Sequence, residues 1–407
     1  MSLMAAVLAL ALALSACGPR APDTSLVISS DPVLGKRVAE LLPVLAEKAG
    51  MELVRPVRVE RRSRGELEGY LHYKLDKELP PERARHMSRS YALLGLMDPE
   101  MDLRGLLLSV YSEQVAGFYD PDSSALFVLD DMPMELLEPI LIHELVHAVQ
   151  DQTANLDSLT SPERGNDRQA AAQAAIEGHA TLVMLEYMAE QIQGRPVDLS
   201  VLPDLSQVLE PALEGVGAQY PALASAPAII QESLLFPYLK GAAFVAALWE
   251  ARPGRPPPFQ QFLPQSTKQV LDPQRILGPD PDWPTELEVV PPAGLEVLYE
   301  NTLGQKETKV LLEEGLGVGW RVLARGWSGD RFLLLRDPGG EDGLVWVSVW
   351  DSKEERDRFV EGLRLALQRF PAPGTLREEE VVGRPGAILQ VGRLPELSLE
   401  IREGPPR

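Results

Sequence analysis

Apolar positions recur at helical spacing from Val33 to Ala49, a run interrupted by Pro43. Val54 to Glu60 alternates apolar residues with Arg and Glu, which predicts a strand. Arg55, Arg58, Arg61, Arg62 and Arg64 then read as a solvated strand face rather than a basic binding patch. Residues 82–112 read as helical, with a break at Asp98-Pro99. Gln114 to Tyr119 and Ala125 to Leu129 predict two strands around the turn residues Asp120-Pro121-Asp122-Ser123. Asp130 or Asp131 is placed to cap the next helix, and Pro139 suits its first turn, where a missing N–H costs nothing. Ile140 to Gln152 continues that helix without a breaker. A second long helix is expected from Asn166, as its N-cap, to Ile192, and a third from Glu232 to Glu250.

Pro and Gly cluster at 252–258 and again at 279–293, and the second cluster marks a domain boundary. Beyond it, Lys306 to Glu314 and Lys353 to Gln368 read as helices, the latter strongly amphipathic. Phe332 to Leu335, Leu344 to Val349, and the stretches 377–382, 386–391 and 397–401 read as strands. The expected fold is α+β: a mostly helical domain with a small sheet at 28–278, a linker at 279–294 and a small α+β domain at 295–407. A length of 407 residues suits two folded units.

A formal charge of −21 sets the protein against the phosphate backbone, so no nucleic-acid partner is expected. The lone Cys17 excludes both an internal disulfide and a cysteine-based zinc cluster. Its position is informative. Ala5 to Ala16 is a small, apolar run too short for a permanent bilayer span, and reads as the core of a secretory signal. It ends Leu14-Ser15-Ala16-Cys17-Gly18, which resembles a bacterial lipobox, although no Lys or Arg precedes the run. Residues 1–16 are thus expected to be a lipoprotein signal peptide, with Cys17 lipidated and 17–27 a tether to the membrane at the cell envelope.

The candidate chemistry lies in His143-Glu144-Leu145-Val146-His147. Histidines four apart on a helix share one face and can hold one zinc ion. Glu144 beside that face can take a proton from a metal-bound water as general base. The surrounding Leu141, Ile142, Leu145, Val146 and Val149 predict a buried, rigid helix, in which an uncompensated His-Glu-His cluster would be costly. No third histidine follows at the spacing His-x-x-Gly-x-x-His, since Thr153 stands there. The remaining third ligands are Glu177 and His179, which point to different sides of the second long helix. Glu177 is favoured, because two histidines and one glutamate leave a fourth position open to water. Gly178 and Ala180 are small enough to let this helix approach the first.

His143-Glu-Leu-Val-His147 together with Glu177-Gly178-x-Ala180 resembles the gluzincins, the thermolysin-like zinc peptidases. The longer string His143 to Asp151 is similar to a group of bacterial envelope proteins with a minimal gluzincin core. Gly117-Phe-Tyr-Asp120, Phe236-Pro-Tyr-x-x-Gly-x-x-Phe244, Gly326-Trp-Ser-Gly-Asp-Arg331 and Trp350-Asp351 fit the same group. So does Ser266 to Pro273, except that Asp272 stands where that group has His. The resemblance implies a zincin-like catalytic domain in which His143, His147 and Glu177 bind zinc and Glu144 is the general base. It implies Ala125 to Leu129 as the edge strand that pairs with an extended peptide. It also implies a donor to the oxyanion, for which Tyr238 or His179 is placed, and a supporting role for Thr181. The expected function is a membrane-anchored zinc endopeptidase acting on a peptide or protein. The alternative is a non-catalytic binding lipoprotein on the same scaffold, and a third possibility is hydrolysis of a non-peptide amide.

Overall fold

A computed structural model describes residues 24–202, 205, 220–395 and 397–405. The expected signal peptide and Cys17 lie outside the described residues. Chain order begins with β1 (Val27–Ile28), α1 (Pro32–Lys48) and β2 (Val57–Arg62). Asp31 caps α1 by accepting the N–H groups of Val33 and Leu34, and its carboxylate also meets Arg61 on β2. Then come α2 (Arg64–Glu78), α3 (Pro81–Leu93) and α4 (Leu103–Gln114). The α2 helix opens with a capping box, Ser63 and Glu66 satisfying each other's backbone N–H.

The first sheet adds β3 (Gly117–Asp120) and β4 (Ala125–Leu129), in the order β1-β2-β4-β3. This corrects one expectation. Ala125–Leu129 pairs on both sides, parallel to β2 and antiparallel to β3, so it is interior, and the edge belongs to Gly117–Asp120. A hairpin alone does not reveal which of its strands receives a third partner from earlier in the chain.

The α5 helix (Met134–Ala154) starts ahead of expectation, with Pro133 rather than Asp130 or Asp131 at its N-cap. Pro139 therefore sits inside the helix, where it forgoes one backbone bond to the turn before it. The α6 helix (Asn166–Gln193) has Gly165 at its N-cap, with no side chain to cap it. Asn166, expected as the cap, is instead the first helical residue. Its N–H donates to Asn301 Oδ1 at 2.7 Å, and that of Asp167 to Thr302 Oγ1 at 3.3 Å. The cap comes from far along the chain.

The α7 helix (Ala228–Ala251) crosses α6 with the two backbones nearly touching. A Cβ on Gly178 would stand 2.0 Å from the carbonyl carbon of Gly241, and one on Gly241 would stand 2.1 Å from Ala174 O. Gly178 thus serves the third long helix, not the first as expected. By length and composition α7 could cross a bilayer, but over half of its most apolar window is buried within the fold.

After the short α8 (Thr267–Leu271) come β5 (Leu287–Val290), β6 (Glu296–Asn301), α9 (Gly304–Leu316), β7 (Trp327–Arg336), β8 (Asp342–Trp350), α10 (Lys353–Ala366), β9 (Gly374–Val381), β10 (Arg384–Gly392) and β11 (Glu400–Glu403). The second sheet is antiparallel, ordered β6-β7-β8-β10-β9. Both its faces are buried, which is why Phe332–Leu335 and Leu344–Val347 in its central strands read as unbroken apolar runs. One face, with Phe332, Leu334 and Trp346, packs on α9 and α10 and also on Leu75, Leu94, Leu103 and Ile229 from the region before residue 279. The other, with Leu333, Leu335 and Val347, packs on the β5–β11 ribbon. The stretch expected as a linker therefore contributes a strand and a core, and the segment after residue 295 shares its main core with the helical region. The fold is α+β and mostly helical, with small sheets.

Candidate metal centre

His143, Glu144 and His147 lie on one face of α5, and all are buried, at 0, 2 and 6% exposure. α6 brings Glu177 to them from 34 residues further along. His143 Nε2 stands 3.0 Å from Glu177 Oε2 and 3.1 Å from His147 Nε2. His147 Nε2 is 3.3 Å from the same carboxylate oxygen. Two imidazole nitrogens facing each other share at most one proton, so these three atoms cannot fully satisfy one another. The triangle matches a metal's requirement: ligands bound tetrahedrally at about 2.0–2.1 Å stand roughly 3.3 Å from one another. The donor set of two imidazoles and one carboxylate suits zinc.

The electrostatics are those of a buried ion pair. Burial alone would lower the His147 pKa, but the Glu177 carboxylate beside it raises it. Glu177 is in turn held well below the usual carboxylate range: burial opposes this, and the two imidazoles outweigh it.

Glu144 is held by the edge strand. Its Oε2 accepts the backbone N–H of Tyr119 at 2.8 Å, while Oε1 is buried with no partner among the described residues. The Tyr119 phenol donates to Asp151 Oδ2 at 2.8 Å, and burial pushes its pKa up to about 12. One residue of β3 therefore grips α5 at two points, before and after His147.

A cleft of about 230 Å³ opens over Glu144, His147 and Glu177. Its walls are Tyr70 and Lys74 of α2, Phe118 and Tyr119 of β3, and Ser233, Pro237 and Tyr238 of α7. Tyr70 and Phe118 stack with centroids 4.1 Å apart. The Tyr238 ring centre lies 6.0 Å from that of His143. The cleft thus gathers Glu144, His147, Glu177 and Tyr238. His179 is elsewhere: fully buried behind the helix pair, edge-on to Trp249 and Phe259, with its pKa pushed down to about 3 by burial. Asp272 pairs with Arg275 and is not among the cleft's walls. A larger groove of about 1420 Å³ runs between α3 and β6, but its mixed charges include none of these residues.

Gln150 had no role in the sequence reading. It is fully buried and bridges His147 Nδ1 and His179 Nδ1, at 2.8 and 3.0 Å. The available signal was a polar residue three positions after His147, on the helix face that His143 and His147 share. Tyr119 acts on Glu144 through its backbone, which no residue type announces.

A family model described as a domain of unknown function (DUF8575) matches residues 295–393. The match excludes the histidine helix and includes Asn301 and Thr302, which cap α6. No curated protein matches the chain, and no solved structure matches it.

Proposed function

We propose that this protein is a zincin-like, zinc-dependent peptidase of the gluzincin type. The observation that carries the reading is the meeting of Glu177 Oε2 with both Nε2 atoms of the histidine pair. His143, His147 and Glu177 would hold the ion. When bound, zinc supplies a Lewis acid that acidifies water and polarises a carbonyl. Glu144 takes the proton on Oε1, the oxygen without a partner among the described residues, while Tyr119 N–H keeps Oε2 in place. Tyr238, in the wall beside His143, donates to the oxygen on which charge develops.

The substrate class follows from the edge. In a strand, the N–H and C=O of one residue face the same side. Tyr119 N–H faces α5 and not β4, so its carbonyl lies on the outer edge of β3, where an extended peptide can add. The apolar run Ala5 to Ala16 followed by Cys17 supports export and a lipid anchor at the cell envelope.

The test is metal content with activity. Purified protein should hold about one zinc per chain, and Glu144→Gln should keep it while hydrolysis of a peptide library falls by about 10²-fold or more. A protein that takes up no zinc, or a Glu144→Gln variant as active as the parent, would end the reading.

A further inference from the structure

The donors and acceptors behind His147 fix one another's polarity. The Ile176 carbonyl can only accept, and it lies 3.0 Å from one amide atom of Gln150, which must be the nitrogen. The amide oxygen then faces His147 Nδ1 at 2.8 Å. An amide oxygen can only accept, so His147 carries a proton on Nδ1. The other amide proton points to His179 Nδ1 at 3.0 Å, which must be a lone pair, so His179 carries its proton on Nε2. Gln150 and His179 are both fully buried, so water does not compete for these bonds.

We infer that Gln150 is the positioning residue of the metal centre, holding His147 in the form that ligates through Nε2, with the Ile176 carbonyl as the lock on the amide and the His179 tautomer as its readout. This rests on the zinc reading above. A flipped amide would present N–H to His147 Nδ1 and drive the imidazole's proton onto Nε2, closing that atom to a metal. The flip would also set the amide oxygen against the Ile176 carbonyl, which has no proton to offer. The Ile176 carbonyl therefore holds the amide in one orientation, and the His179 tautomer follows from it. His143 has no counterpart: its Nδ1 is buried without a partner among the described residues. His147 is thus the ligand anchored through its Nδ1, and His143 is held on its Nε2 side alone. Gln150 and His179, three residues from His147 and two from Glu177, serve one of the two histidines only.

Histidine-selective ¹⁵N labelling of the full chain tests this, since the sequence has five histidines. Long-range proton–nitrogen correlation spectra distinguish the tautomers. His179 should be neutral and protonated on Nε2 both without and with zinc. In the zinc-loaded protein His147 should be protonated on Nδ1. Gln150→Met, close in size and unable to accept, should weaken zinc binding by about 10–100-fold in competition with a chelator. An Nδ1–H on His179, a metal-bound Nδ1 on His147, or zinc affinity in Gln150→Met within about twofold of the parent overturns the inference. If Gln150→Met does not fold, the parent's spectra decide. If no zinc binds at all, the zinc reading fails, and the His179 tautomer in zinc-free protein still decides the arrangement of the amide.

Discussion

Glu177 and His179 differ by two positions, which turns them about 200° apart around a helix. One reaches the histidine pair and the other packs edge-on to Trp249 and Phe259. That division was visible in the spacing, and so was the shared face of His143 and His147. Which of the two would face inward depended on where α5 and α7 pack, and Gln150 became meaningful only with His179 behind it. At this scale two outcomes are expected. Glu177→Gln should lower zinc affinity by at least about tenfold, measured by chelator competition, because a carboxylate ligand is replaced by a neutral amide. Tyr238→Phe should keep zinc and change KM little while kcat falls by about 10²-fold, the signature of a donor used in the transition state. A Tyr238→Phe enzyme with unaltered kcat would remove that residue from the mechanism.

The elements that carry the site were legible where their apolar spacing is dense: α5, α6 and α7 are each found near their expected bounds. The α2 helix was not, because Leu67, Leu71 and Leu75 form a thin stripe among charged and polar residues. Strand order was not legible either, since β4 gains β2 as a neighbour through contacts that no local pattern encodes. Nor was the cap of α6, supplied from 135 residues away. That cap makes a prediction. Asn301→Ala should destabilise the protein by about 1 kcal/mol, as other lost caps do, and should also weaken zinc binding, because the helix it steadies carries Glu177. Denaturant melts and a zinc titration on the same variant would check both; a stability loss with unchanged zinc affinity would uncouple the helix start from the site. Gly178→Ala offers a harsher probe. Its Cβ must displace the α7 backbone, so a loss of about 3 kcal/mol is expected in the same melts.

At the scale of the whole molecule, the segment matched by the family of unknown function is built into the rest of the chain. Its sheet buries Leu75, Leu94, Leu103 and Ile229, and Lys306 Nζ reaches Ser233 Oγ in the cleft wall at 3.0 Å. A chain ending before residue 295 should expose these residues and bind a hydrophobic dye, and the intact protein should unfold in one transition. The junction is also a buried acidic site. Burial pushes the carboxyls of Asp167 and Glu307 up to about 7 in each case, against the Lys306 ammonium nearby. A carboxyl with a raised folded pKa binds protons more readily when folded, so its ionisation costs stability as pH rises through that value. This contribution is most favourable below the unfolded pKa of about 4 and is lost by about pH 8. The thermal midpoint of Glu307→Gln relative to the parent should therefore rise from about pH 5.5 to about pH 8. A pH-independent difference would show that Glu307 does not titrate in that window.

The contact between Gly178 and Gly241 places Glu177 one residue, and Tyr238 three residues, from the crossing point of two long helices. When two rods swivel about the place where they touch, their ends sweep widely and the junction hardly moves. Thermal rocking of these helices would be felt at their far ends, remote from the cleft. The groups proposed to grip the ion and the reacting oxygen sit at the still point of that motion, so their separation would persist while the cleft's outer rim opens and closes around a substrate.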